Sequence, residues 1–311
     1  MGTFLIAFKA VAPLFLAIFA GVVFSRTKSA SENWVDILNK YALRIGLPAL
    51  VIASLLRIEP GGESYVHLIV VNSVYFIVSM LLAIPISRIF RFSKQVKRAL
   101  FLILSYGNVA YLGIPVLQNA YGEAAVPVAG IISSVYIFWL LTLGITLIEI
   151  NGENSFSFRQ LIMHQFKNPL MISVFCGLII LFFNIKLPEV INDTIQLFAS
   201  SVTAVVLFSL GIFLGLHRAG SVKDWAAALG WSAVIMLVLP FLFFISTRNS
   251  GMDSMQFKAS ILESAMPLGL TPYALAVQYK LETSLVARIV VLSTLLSMVV
   301  IPVWMVALES V

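Results

Sequence analysis

Charge is the scarcest property of this sequence: only 11% of its 311 residues are Asp, Glu, Lys or Arg, against about 25% in an ordinary soluble domain. That shortage excludes a water-soluble globule. One cysteine, Cys176, and three scattered histidines, His67, His164 and His217, leave no disulfide framework within the chain and no metal-ligand spacing. No phosphate loop or dinucleotide fingerprint occurs, so a pump driven by its own nucleotide hydrolysis is not expected. There is no nucleophile elbow and no paired acid–base constellation, so the chain does not read as an enzyme. The net charge of +6 is not arranged on an aromatic-laced basic face, which argues against a nucleic-acid partner.

What the chain has instead is apolar length. It is 60% hydrophobic, with a mean hydropathy of +1.01, and a helix crossing a bilayer needs about 20 such residues. Ten spans can be drawn, at about 3–25, 33–56, 64–90, 97–119, 124–149, 167–184, 190–216, 222–247, 256–279 and 284–308. Asn39, Lys40 and Arg44 place the first turns of the second span at the membrane interface. Thirteen of the Lys and Arg residues fall on one side of this topology, from Arg26 and Lys28 to Lys280 and Arg288. Four fall on the other: Arg57, Lys186, Arg248 and Lys258. The positive-inside rule then makes the odd-to-even connections cytoplasmic and turns both termini outward.

Two spans are interrupted. Gly107-Asn108-Val109-Ala110-Tyr111-Leu112-Gly113-Ile114-Pro115 breaks the fourth, and Met266-Pro267-Leu268-Gly269-Leu270-Thr271-Pro272 breaks the ninth, since Gly and Pro weaken or stop a helix. The two halves of the chain also match. Pro13 to Gly21 aligns with Pro169 to Gly177 at a spacing of 156, Ala49 to Leu55 with Ala204 to Leu210 at 155, and the interruptions overlap at about 160. Five spans per repeat is an odd number, so the second copy enters from the opposite face. The expected fold is an all-α integral membrane protein of ten helices in two inverted five-helix repeats, 1–150 and 167–311, joined by a short connection at 151–166, with broken helices 4 and 9 crossing near the midplane.

A broken helix offers unpaired N–H groups and a positive dipole end at the start of its second half, a seat for an anion. Asn108 adds an amide there. Gly107, Val109, Gly113, Pro115, Met266, Pro267, Leu268, Gly269, Thr271 and Pro272 form the rest of the candidate substrate site, the glycines for close approach and the prolines to hold the breaks. Glu263 is the one acid well inside a span. It is a candidate for proton or sodium coupling, or else a structural pair with Lys258, Lys9 or a neighbouring polar group. Asn72, Ser105 and Ser134 read as hydrogen bonds between helices.

Four stretches together resemble the auxin efflux carrier family, within the bile-acid/arsenite/riboflavin transporter superfamily: Asn39-Lys40-Tyr41 with Leu47-Pro48-Ala49-Leu50; Gly107-Asn108 through Pro115 and Tyr121-Gly122; Asn168-Pro169 with Leu207 to Leu214; and Ala265-Met266-Pro267 through Pro272-Tyr273, Ala276 and Tyr279. The resemblance implies a scaffold of helices 1, 2, 6 and 7, a transport domain of helices 3–5 and 8–10, elevator-type alternating access, and a homodimer joined through the scaffolds. It implies an organic carboxylate as substrate, auxin-like or a dicarboxylate, with Asn108 at the crossover and Leu47 and Val51 on the scaffold face of the site. The long hydrophilic central loop of the plant carriers is missing, which points to a prokaryotic cytoplasmic membrane. Sodium-coupled bile-acid relatives carry a glutamate near the place of Glu263; a sodium site there would draw oxygens from Glu263, Asn108, Ser105 and Gln278. No other cofactor is expected. A membrane sensor that binds the anion without moving it is the remaining reading from another class.

Overall fold

A bilayer offers the backbone no hydrogen-bonding partners, so an apolar chain closes its hydrogen bonds within helices. Every regular element among the described residues of the computed structural model is helical. The structure describes residues 2–56, 65–152, 169–216 and 222–309. The connection between the halves from residue 153, together with Arg57, Arg159, His164, Lys167, His217 and Arg218, lies outside them.

In chain order the helices are α1 (Gly2–Phe24), α2 (Glu32–Leu56), α3 (Val66–Ile89), α4 (Lys94–Ile103), α5 (Ile114–Tyr121) and α6 (Ala125–Ile150). After the connection come α7 (Pro169–Phe182), α8 (Glu189–Leu216), α9 (Asp224–Thr247), α10 (Ser254–Ser264), α11 (Leu270–Gln278) and α12 (Thr283–Glu309). Among the described residues six of them, α2, α3, α6, α8, α9 and α12, are long and apolar enough to cross a membrane. The protein is therefore an integral membrane protein. The pairs α4/α5 and α10/α11 are the two interrupted segments. Each begins at a polar cap: Ser93 Oγ accepts from the N–H of Val96 at 3.3 Å, and Asp253 Oδ1 from that of Gln256 at 3.0 Å.

Wide π-turns sit just ahead of three prolines: Ala42–Gly46 before Pro48, Val109–Gly113 before Pro115, and Val234–Val238 before Pro240. A proline ring clashes with the carbonyl four residues earlier and donates nothing to it, and the looser turn absorbs the misfit. The freed group needs another partner. Ahead of Pro240 that group is the Met236 carbonyl, and it accepts from Trp304 Nε1 of α12 at 2.9 Å.

Helices α1, α2, α7 and α8 pack on one another through small residues. A Cβ on Gly211 of α8 would strike the Ile18 carbonyl of α1, and one on Gly21 the Phe208 carbonyl. Gly215 lies against Ser25 in the same seam, and Gly177 of α7 against the Leu55 side chain of α2. Tyr41 of α2 shares a 2.6 Å hydrogen bond with Ser201 of α8. On the other flank α3 packs on α6, and Asn72 of α3 donates to Ser260 of α10 at 2.8 Å. The expected interhelical bond of Asn72 is thus present. Ser105 and Ser134 instead donate to the carbonyls of Phe101 and Gly130 in their own segments, because a serine hydroxyl reaches the carbonyl one turn back more easily than a neighbouring helix.

Candidate functional site

The two interruptions meet. The Asn108 N–H donates to the Pro267 carbonyl at 2.6 Å, and Gly107 and Leu268 form an isolated antiparallel bridge. Extended backbone in a membrane interior leaves polar groups that must find partners. The Leu268 N–H finds Ser293 Oγ of α12 at 3.0 Å. The Asn108 carbonyl accepts from both Leu112 and Gly113, each at 3.0 Å, which opens the π-turn leading into α5.

Glycine is required at the crossing itself. A Cβ on Gly107 would stand 2.9 Å from the Met266 carbonyl oxygen, and one on Gly269 3.3 Å from Asn108 Oδ1. Gly113 has a different neighbour: a Cβ there would run into the carboxyl group of Glu263. Glu263 is fully buried, and neither of its carboxyl oxygens has a hydrogen-bond partner among the described residues. It makes no pair with Lys258. Asn108 is 2% exposed, with Oδ1 buried and unpartnered. Val109, Met266, Pro267 and Leu268 are buried around it, and Thr271 lies half-buried in the first turn of α11, within hydrogen-bonding reach of the Tyr111 hydroxyl.

A cavity of about 320 Å³ opens along α5, the half-helix that follows the crossing, within the size range of small-molecule sites. Its walls are α1 (Leu14), α2 (Leu50, Ala53, Ser54), α5 (Ile114, Pro115, Gln118, Asn119), α6 (Val126) and α8 (Gln196, Ala199, Ser200, Thr203). The polar side chains are three amides and three hydroxyls, with no formal charge among them. Gln118 Nε2 donates to Glu123 at 2.6 Å, at the rim. The cavity lies along the second half of the first interrupted segment, beyond its positive dipole end. On the other side of the crossing, α8 and α11 are in contact: the rings of Phe213 and Tyr273 meet edge to face at 4.7 Å. Thr203 and Phe213 are ten residues apart on α8, or about 15 Å along its axis. The cavity and this ring contact thus lie at different levels of α8.

The matches to known proteins accord with this architecture. The pattern that defines the membrane transport protein family, that of the auxin efflux carriers, matches residues 6–305. The chain belongs to that family. An uncharacterized transporter of Methanocaldococcus jannaschii is 22% identical over 283 residues, covering 88% of this chain and 89% of the relative. A putative malonate transporter of Rhizobium meliloti is 24% identical over 92% of this chain and 91% of its own length. Auxin efflux carrier component 1 of Arabidopsis thaliana is 23% identical over 141 residues, 45% of this chain and 22% of the plant protein. The protein is therefore a membrane transporter and not an enzyme.

Within this transporter, the residues singled out from sequence fall in several places. Asn108, Gly107, Gly269 and their neighbours are brought together at the crossing. Pro115 lines the cavity. Leu47 and Val51 are each 1% exposed and packed in the α2 interior rather than in the cavity wall. Gln278 is exposed at the far end of α11, away from the buried Glu263, while Ser105 lies beside a small cleft with Tyr106, Gly107 and Ser264. Ser54, Asn119, Gln196, Ser200 and Thr203 were not foreseen as site residues. Polar side chains in the membrane half of α8 were the available signal, but their facing α5 is a tertiary fact.

Proposed function

We propose that this protein carries a small organic carboxylate across a prokaryotic cytoplasmic membrane, binding it between the α5 half-helix and α8 and moving it by an elevator-type displacement. The observation that carries the reading is the cavity between α5, the half-helix that follows the crossing, and α8: its polar lining is neutral amides and hydroxyls. A carboxylate suits that lining, because side-chain amide and hydroxyl donors can hold an anion without a fixed cation. In this reading α1, α2, α7 and α8 form the scaffold, through which two copies pair, and α3–α6 with α9–α12 form the moving unit. The ten-span inverted repeat is supported by the equal spacing of the caps: Ser93 and Asp253 open the two interrupted segments 160 residues apart. The malonate assignment of one relative makes a short dicarboxylate the first substrate to try.

The test is counterflow of labelled malonate, and separately of an aromatic carboxylate, in proteoliposomes. Exchange with one of them that is lost in Asn108→Ala supports the site. Binding of the anion without any exchange would favour a sensor.

A second reading, cation coupling through Glu263, is favoured by one observation: a fully buried carboxyl with no hydrogen-bond partner among the described residues, set against Gly113. Such a group is costly unless a proton or cation joins it. Because the carboxyl sits against the arm that forms the substrate cavity, occupancy at Glu263 would bias the geometry of α5. Thermal stability of the purified protein with and without sodium, and across pH, distinguishes the two ions. If Glu263→Gln transports with unchanged dependence on both, coupling through this residue is wrong.

A further inference from the structure

The connection from α3 to α4 carries charge of one sign. Between Glu63 and Glu123 the sequence has no acid, while Arg88, Arg91, Lys94, Lys97 and Arg98 fall within 11 residues. Two of these are engaged at the end of α6: Lys97 donates to Asn151 at 2.7 Å and Arg98 to the Ile148 carbonyl at 2.9 Å. Arg88, Arg91 and Lys94 are exposed and meet no acid among the described residues. Large apolar side chains stand exposed between them, Ile89 at 73% and Phe90 at 65%.

The backbone at this corner takes a form that suits an arginine poorly. The Phe92 N–H donates to the Ser87 carbonyl at 3.1 Å and closes α3 by turning Arg91 left-handed, at φ 52°. Glycine usually fills that position, because a Cβ is strained there. Lys280, exposed just past α11, repeats the arrangement at φ 51°, where the Leu281 N–H donates to the Ala276 carbonyl at 2.8 Å. Both cations lie at one end of the molecule, since the Tyr279 hydroxyl reaches Glu149 at the same end of α6 that holds Arg98.

At the opposite end the left-handed residues among those described are Gly122, Asn184 and Gly251, types that take this conformation readily. Gly122 precedes α6, Gly251 lies against His67 at the start of α3, and Asn184 leads into the part of α8 that faces Gln118 and Asn119. A cation at a helix C-terminus gains from the helix dipole. That gain exists at every helix end, so it does not explain why the strained positions are basic at one end alone.

Helix α3 has 24 residues, about 36 Å of helix, against a hydrocarbon core about 30 Å thick. Its last turn therefore reaches headgroup level, where cations meet phosphates and aromatic rings lie beside the upper acyl carbons. Phe90 stacks on Phe92 at 5.6 Å, and Phe92 meets Trp231 of α9 at 6.3 Å, which fixes the apolar side of the corner. The acids at this end have partners of their own: Glu149 has Tyr279, Asp224 has Arg288 at 3.3 Å, and Glu282 has Ser284.

We propose that the α3/α4 corner is a binding site for anionic phospholipid headgroups, with Arg88, Arg91 and Lys94 on the phosphates, Ile89 and Phe90 among the upper acyl carbons, and Lys280 adding charge at the same end. The site is separate from the substrate cavity and stands whatever the substrate proves to be.

The test uses the full chain in phosphatidylcholine vesicles, with Cys176→Ser and a bimane on Gln95→Cys beside Lys94, quenched by a headgroup spin-labelled lipid. Spin-labelled phosphatidylglycerol should outdo spin-labelled phosphatidylcholine by fivefold or more, fivefold being about the value of one basic side chain near an anionic surface, and salt should shrink the difference. Arg91→Gly should lower the preference about fivefold without lowering the melting temperature, because glycine relieves the left-handed turn. Asn184→Gly, the same relief at the other end, should leave the preference unchanged. Equal quenching by the two lipids, or a preference untouched by Arg91→Gly, would overturn the site. Loss of the preference to inorganic phosphate beyond the effect of chloride at equal ionic strength would overturn the lipid as occupant, and a lower melting temperature in Arg91→Gly would overturn the strain assigned to Arg91.

Discussion

The seam between α1 and α8 gives the most direct numerical expectation. In Gly211→Ala the new methyl would fall on the Ile18 carbonyl and 2.8 Å from the Gly21 Cα. Both obstacles are backbone, so no side chain can turn aside and the helices themselves must part. Overpacking costs about 1–3 kcal/mol, and the need for backbone movement puts this site at the upper end. Replacing glycine by alanine in a helix returns about 1 kcal/mol, leaving a net loss of about 2 kcal/mol. Gly230 of α9 is the matched control, with nothing within 4 Å of where its Cβ would stand; there only the gain of about 1 kcal/mol applies. The same chemical change at the two sites should differ by about 3 kcal/mol. At roughly 2–4 °C per kcal/mol, the two variants should melt roughly 6–12 °C apart when thermal unfolding is followed in one detergent. If they melt together, the close approach of α1 and α8 is wrong, and with it the packing on which the proposed scaffold rests.

Other outcomes follow from the site. Gly113→Ala forces the Glu263 carboxyl to move, and because the obstacle is a side-chain end the stability cost should be about 1 kcal/mol, while the response of the melting temperature to sodium or pH changes; an unaltered ion response would dissociate Gly113 from Glu263. Ser293→Ala strips the buried Leu268 N–H of its acceptor, a loss of about 1–3 kcal/mol readable as a lower melting temperature, and the effect should be absent in Ser284→Ala at the exposed start of the same helix. Gln196→Leu removes a cavity amide and is expected to raise KM several-fold in proteoliposome uptake with kcat little changed; an equal fall in both kcat and kcat/KM would place Gln196 in the moving step instead. Phe213→Ala takes away one side of the ring contact between α8 and α11, so a cysteine-reactive reagent should label an Ala274→Cys probe, which leaves Tyr273 in place, faster in that background than with Phe213 present.

The class of the protein and the location of its breaks were legible in the sequence because both rest on local chemistry. A run of apolar residues reads as a span at any place in the chain, and Gly107-Asn108 and Met266-Pro267 disrupt a helix by their own backbone preferences. The glycines at 107 and 269 were legible for the same reason, since close approach is almost the only reason for glycine at an interrupted span. The cavity was not. Gln118 and Gln196 belong to helices 78 residues apart in the sequence, and nothing in the periodicity of either says that they face one wall.

Sequence alone thus determined a transporter-like membrane chain with two interrupted segments, the asparagine at the first of them, and a lone acid near the second. Tertiary structure decided how these parts face each other: that Asn108 bonds through its backbone to Pro267, that Glu263 lies against Gly113 instead of pairing with Lys258, that Leu47 and Val51 are buried outside the cavity wall, and that the open space lies against α8. The division has a physical cause. Helix formation and helix breaking are set within one or two turns, whereas the direction a side chain faces in a packed bundle depends on the rotation of its helix against neighbours far away in the chain.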